Sequence, residues 1–188
     1  MILIVGLGNP GKKYDLTRHN LGKTIVKNFA KSFDFPKFKI DKKLKSEISK
    51  NNIDNQEIIL ALPITYMNES GQSLKKLIIN YHLSLINLWV IHDDIDLPLG
   101  KIRISKNRSS AGHKGVQSII DYLGTQDFVR FRIGIQTATS KNLSSEKFVL
   151  QKFTKNEQKI VQKVIQLTVN ALEFAIKNGL EKTMNKYN

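Results

Sequence analysis

ILIVGLGNPGKKYDLTRHN, residues 2–20, is the stretch whose reading decides the fold. It opens on an apolar, mostly β-branched run, Ile2 to Val5, and passes into Gly6-Leu7-Gly8-Asn9-Pro10-Gly11. An apolar run that ends in glycine predicts a strand buried on both faces. Three glycines and a proline in the next six residues leave little room for regular structure. Glycine tolerates positive φ and lets another backbone come close. Asn9 is therefore expected on a tight loop at the carboxyl end of a buried strand, where ligands sit in open α/β sheets. Arg18, His19 and Asn20 follow a polar turn and open a helix. The rest of the chain is read as building a site around Asn9 and His19.

Working outward, Leu21, Ile25, Val26, Phe29, Ala30 and Phe33 form one stripe at helical spacing, with Lys23, Lys27 and Lys31 facing out. Pro36 bars continuation. Leu44 to Lys50 and Glu57 to Leu62 read as antiparallel strands joined by a loop over residues 51–55. Asn68 or Ser70 is the expected cap of a helix with the stripe Leu74, Leu77, Ile78 and Tyr81. Leu88 to Ile91 reads as a strand ending in His92-Asp93-Asp94. Residues 101–105 alternate basic and apolar, and residues 106–112 form a basic, serine-containing loop. Val116, Ile119, Ile120 and Leu123 mark the next helix, and Val129 to Ile135 the next strand. Residues 137–145 are read as a polar loop. Thr154 with Glu157 is a capping box opening a long helix to about Lys177, closed by Asn178-Gly179. Strands and helices interleave without a linker. Residues 1–188 are therefore expected to form one α/β domain, a mixed central sheet flanked by helices.

The composition narrows the function. A length of 188 residues supports a sizeable core. The lack of cysteine removes disulfides and thiolate metal sites. No run is long and apolar enough to span a membrane, and the first residues are a strand rather than a signal peptide. A cytoplasmic setting is the default expectation. The net charge of +14 fits a polyanionic partner such as nucleic acid, or a general bias toward lysine. No helix combines a basic face with an exposed aromatic face, which argues against membrane-surface binding.

Several constellations could carry chemistry. The glycine loop matches the dinucleotide fingerprint GxGxxG, but Pro10 removes an amide donor where a pyrophosphate needs one. The ribose-binding acid would also fall inside a helix, near Lys27 to Lys31. His19 is usable as a general base if a carboxylate fixes its tautomer, and Asp93 ends a buried strand where such a partner could sit. His92, Asp94 and Asp96 would share a face if that strand continued, a carboxylate-rich set of the kind that suits magnesium or manganese. No second cluster completes that set. Residues 66–71 and 109–115 read either as helix entries or, respectively, as an oxyanion-binding amide and an anion-binding gate.

Together the motifs VGLGNPG, RHN, ITYMNESG, HDDIDLPLGKIRI, SSAGHKGVQSI and FVRFRIGI stand in the order found in bacterial-type peptidyl-tRNA hydrolases. The chain resembles that family from about Met1 to Phe153, and its final helix is similar as well. The resemblance implies cleavage of the ester between a peptide and the 3′ ribose of tRNA, by a monomer without metal or cofactor. It implies His19 as base, Asp93 as its orienting partner, and Asn9 and Asn68 as substrate-positioning amides. Tyr14, Tyr66 and Met67 match positions that line the cleft for the peptide and the tRNA end. Lys114 departs from the family's common Gly-His-Asn-Gly and is assigned an electrostatic role toward a phosphate. Lys101, Arg103, Lys106, Arg108, Arg130 and Arg132 are the expected tRNA phosphate contacts, with Arg130 and Arg132 on one strand face.

Overall fold

The computed structural model describes residues 1–138 and 144–188. Residues 139–143, inside the polar loop expected over 137–145, lie outside the described residues. The apolar opening run is strand β1 (Ile2–Gly6), every residue of it buried. It pairs in parallel with β4 (Gln56–Pro63) on one side and with β5 (Leu88–Pro98) on the other. β5 pairs in parallel with β7 (Val129–Gln136). The edges are antiparallel: β3 (Ser46–Ile53) on β4, β2 (Lys39–Asp41) on β3, and β6 (Ile102–Ser105) on β7. The result is one seven-stranded mixed sheet in the order β2-β3-β4-β1-β5-β7-β6.

Period-2 alternation sends β1 side chains into two layers. Ile2 and Ile4 join a core with helices α1 (Leu21–Ser32) and α5 (Lys155–Asn178). Leu3 and Val5 join a second core with α2 (Ser70–Asn80) and α3 (Lys114–Leu123). The short helix α4 (Ser145–Val149) precedes α5, and α6 (Leu180–Tyr187) packs back onto β6. The side-chain amide of Asn188 bonds the backbone N–H and C=O of Ile104, covering part of the open β6 edge. The capping box at Thr154 and Glu157 is formed, and the long helix closes at Gly179 with φ 85°.

The glycine reading holds through close approach more than through turn geometry. Of Gly6, Gly8 and Gly11, only Gly11 has positive φ. A Cβ on Gly6 would lie 2.6 Å from the Gly22 carbonyl oxygen, so α1 sits directly against the end of β1.

Four expectations are corrected. Residues 51–53 belong to β3, and the turn is only Asp54-Asn55, whose φ values of 48° and 62° suit a tight hairpin. β5 does not stop at Ile91 but carries His92 to Asp96 within it. Neither Asn68 nor Ser70 caps α2: a 3-10 turn, Met67–Glu69, leads into the helix, and the Ser70 hydroxyl donates back to the Met67 carbonyl. Lys23 does not face out but lies buried beneath the Gly8 loop, where loss of solvent lowers its ammonium to about 8. The strand β2 and the helices α4 and α6 were not foreseen. They are short, three to eight residues each, which leaves little sequence from which to read a period.

Candidate active site

The glycine loop after β1, the turn after β4, the middle of β5 and the entry to α3 all converge at one end of the sheet. They enclose a cavity of about 440 Å³ lined by Asn9, His19, Met67, Asn68, Asp93 and Lys114, with α4 at its mouth. Tyr14 and Tyr66 are not among the residues that line it. Tyr14 is half-buried beside Lys13, and Tyr66 is 53% exposed.

Asn9 is held from three directions. Its backbone N–H donates to Asn20 Oδ1 at 2.8 Å, and its carbonyl accepts from Asn20 Nδ2 at 2.9 Å. Its own Oδ1 accepts from the Met67 backbone N–H at 2.9 Å. With the oxygen end of the amide engaged, Nδ2 is the end Asn9 offers to the cavity. Asn68 is exposed on the adjacent 3-10 turn.

His19 sits on a 3-10 turn, Arg18–Asn20, that runs straight into α1. The turn is anchored by Arg18, whose Nη2 donates to both carboxylate oxygens of Glu157 on α5. The Arg18 guanidinium lies 4.3 Å over Phe148 and 4.7 Å over Phe153. The next side chain, His19, is thereby aimed at β5. Its Nδ1 lies 3.0 Å from both Asp93 oxygens. Burial alone would raise the Asp93 carboxyl, but His19 and His113 outweigh it and hold the group far below the usual carboxylate range. Asp93 is therefore an ionised acceptor, and the imidazole nitrogens facing it carry the protons. His19 keeps Nε2 as its free lone pair.

His113 is the site residue that the sequence reading passed over. It is the N-cap of α3: its Nδ1 accepts from the Val116 backbone N–H at 3.2 Å. Its Nε2 lies 3.1 Å from Asp93 Oδ1. Both contacts require the same tautomer, with hydrogen on Nε2 alone. Its signal in the sequence was a histidine between glycines just ahead of an apolar stripe, which is also how an ordinary helix entry looks. His19, Asp93 and His113 offer nitrogen and oxygen atoms within 4.8 Å of one another. A metal on His113 Nε2 would require hydrogen on Nδ1, against the Val116 N–H, so this set is built for proton-sharing rather than for coordination. The alternative set of His92, Asp94 and Asp96 does not assemble among the described residues. His92 turns to the Asp93 carbonyl, and Asp94 Oδ2 accepts from Arg132 Nε at 2.6 Å.

The expected phosphate contacts separate into two groups. Lys101, Arg103, Lys106 and Arg108 are exposed on and beside β6. Arg130 is 2% exposed and donates to the carbonyls of Arg108 and Ser109, which braces the basic loop from below. Arg132 lies opposite Arg103 in the β6–β7 register, and its charge, after burial, also lowers the Arg130 guanidinium two residues away on the same strand. Lys114 bonds Glu146 of α4 at 2.6 Å across the cavity mouth, a partner not anticipated from the sequence.

The family model for peptidyl-tRNA hydrolase matches residues 3–188. The chain belongs to the peptidyl-tRNA hydrolase family. It is 45% identical to the peptidyl-tRNA hydrolase of Thermodesulfovibrio yellowstonii, covering 100% of this chain and 99% of the relative. It is 42% identical to that of Fervidobacterium nodosum, covering 100% and 96%. The crystal structure of the Acinetobacter baumannii peptidyl-tRNA hydrolase superposes with a TM-score of 0.91 at 32% identity, covering 100% of this chain and 94% of that one. The likeness runs the length of the chain, so it includes α4 to α6 as well as the motifs from Met1 to Phe153. No helix among the described residues is long and apolar enough to cross a membrane.

Proposed function

We propose that the protein hydrolyses the ester joining a peptide to the tRNA 3′ end, with His19 as general base and Asp93 as its orienting partner. The observation that carries the reading is the His19–Asp93 pair, buried at the wall of the cavity in a chain of this family. Water attacks the ester carbonyl. His19 Nε2 takes its proton, and the imidazolium that forms is stabilised through Nδ1 by the ionised Asp93. His113 holds Asp93 from the other side and fixes the plane of the carboxylate. Collapse of the tetrahedral intermediate returns the proton to the departing ribose oxygen. Free tRNA and free peptide are the products.

Asn9 is the donor best placed for the developing oxyanion. Its three hydrogen bonds orient Nδ2 before substrate arrives, which is what such stabilisation requires. Asn68 and Met67 would grip the peptide end, and Tyr14 and Tyr66 would meet substrate only outside the cavity. Lys101, Arg103, Lys106 and Arg108 would hold tRNA phosphates, with Arg132 beside Arg103. Lys114, tied to Glu146, would have to exchange that carboxylate for a phosphate to do the same. The protein is proposed to act as a monomer in the cytoplasm.

The test is turnover of a blocked aminoacyl-tRNA. His19→Ala should lower kcat by roughly 10²–10⁴-fold and leave binding of deacylated tRNA nearly intact. Near-normal turnover would remove His19 from the mechanism. Asn9→Asp keeps the acceptor for the Met67 N–H but replaces the free donor with a charged oxygen. It should cost about 10²–10³-fold in kcat with little change in fold, and a rate close to the parent's would reassign the oxyanion to Asn68.

A further inference from the structure

The groove between β3 and α2 carries a row of lysines that the active site does not use. Lys45 Nζ donates to Gln72 Oε1 at 2.6 Å. Lys76 Nζ donates to the Lys43 carbonyl at 3.0 Å. Lys50 Nζ lies 4.3 Å over the Tyr81 ring, at the far end of α2. The side chains of β3 that face α2 alternate with those that do not. Ser46 bonds Ser73 on the α2 side, whereas Glu47 acts on Lys23 of α1 on the other face. Asp41, ahead of the row in sequence, uses Oδ1 to accept the Leu44 N–H. Among the described residues every ion pair lies elsewhere, on Arg18, on Asp93, across the cavity mouth, on Arg132 and on Lys177. The partners of these lysines are neutral, so their charge is uncompensated. Glu69, exposed at the head of α2, is the acid that remains at the cavity end.

The row also has a direction. α2 begins beside Asn68 at the cavity. Gln72, the partner of Lys45, is about one helical turn farther on, and Lys76 is about 12 Å along at 1.5 Å per residue. Lys50 closes the row at Tyr81. Ammonium groups are thus strung along the helix from the cavity outward, on the side of the sheet opposite to β6. A line of uncompensated cations matches a line of phosphates better than it matches any single anion.

We propose that the β3–α2 groove is a second phosphate-binding surface, which takes an RNA strand on the side of the cavity away from β6. This extends the reading of the protein as a peptidyl-tRNA hydrolase, and its test needs no turnover. The probe is deacylated tRNA, with affinity measured over a range of salt concentrations. The triple variant Lys45→Ala, Lys50→Ala, Lys76→Ala removes the three ammonium groups of the row. Its affinity at about 0.1 M salt should fall at least tenfold, and its log K against log salt slope should become shallower by about two to three units. The single variants Lys45→Gln and Lys76→Gln should each move the slope by about one unit, which keeps the test valid if the triple variant misfolds. Lys27→Ala with Lys31→Ala on α1 serves as the net-charge control and should shift it less. An unchanged slope in the triple variant overturns the proposal. So does an equal shift in the control, which would make the effect one of net charge. A loss seen only with substrates carrying an acidic peptide, and not with deacylated tRNA, overturns it in favour of a peptide groove. Near-normal turnover in His19→Ala, with this binding result intact, would count against the catalytic reading alone.

Discussion

His92 shows how a single residue next to the site is constrained. It is 2% exposed, donates Nδ1–H to the Asp93 carbonyl at 2.6 Å, and leaves Nε2 buried without a partner. Its ring meets His113 edge-on at 4.7 Å. Burial, with His113 beside it, pushes the imidazole well below its ordinary 6.5. The unfolded chain therefore binds a proton that the folded one refuses, in the window from about 6.5 downward. A group depressed in this way adds stability above its unfolded pKa, and that contribution is lost as pH falls toward the folded value. His92→Asn keeps a donor for the Asp93 carbonyl but cannot titrate. Urea unfolding at a series of pH values should give a constant gap between parent and variant above about pH 7. The gap should move in the variant's favour as pH drops to about 5. A gap that does not change with pH would mean that His92 is charged or solvated in the folded protein.

At the scale of elements, the parts legible in the sequence were those with a strong period or a rigid cap. The stripe from Leu21 to Phe33, the Thr154–Glu157 box and the buried run Ile2–Val5 each signal through a local rule, and each stands where that rule put it. His19 and Asp93 were paired from their element positions, one heading a helix and the other in a buried strand. His113 was missed because a histidine between glycines ahead of an apolar stripe reads as an ordinary helix entry, and nothing local marks its contact with Asp93. Arg130 was misplaced for the opposite reason: alternation gave its face correctly, but the Arg108–Ser109 loop folds over that face and buries it. The same lesson applies to Arg18, which the sequence places only at a helix entry but which is the bolt between the His19 turn and α5. Its Nε and Nη1 are buried without partners, so Glu157 is what keeps that charge tolerable. Burial works to raise the Glu157 carboxyl, yet the Thr154 N–H and Arg18 hold it below its ordinary value. Glu157→Ala leaves Arg18 buried and unpaired and removes the reciprocal half of the capping box. It should cost about 3–5 kcal/mol in urea unfolding. It should also lower kcat, because the turn carrying His19 loses its anchor. A loss under about 1 kcal/mol would show that Arg18 reaches solvent when Glu157 is absent.

Across the whole molecule, 30 basic side chains face 16 acidic ones, and this imbalance acts in two opposite directions. Toward RNA it would be attraction, concentrated on the proposed contacts about β6 and along the β3–α2 groove. Toward the folded chain it is self-repulsion, since the same lysines are crowded together when the sheet closes. Salt screens both over about 10 Å at 0.1 M. The two properties should therefore move apart as salt rises. Binding of tRNA should weaken steeply, while the thermal midpoint should climb by several degrees between about 0.01 and 0.3 M sodium chloride. The ion pairs work against that climb, but few of them have weight. Lys114–Glu146 and the two contacts of Lys177 are exposed, where such pairs contribute little. Arg18–Glu157 and Arg132–Asp94 are sheltered and feel salt least. Repulsion among the unpaired lysines should win, and scanning calorimetry across the salt series reads the balance directly. A midpoint that is flat or falls with salt would mean that the lysines are far enough apart in the fold to ignore one another. The dense charge along α2 would then be too weak a field to draw a polyanion to it.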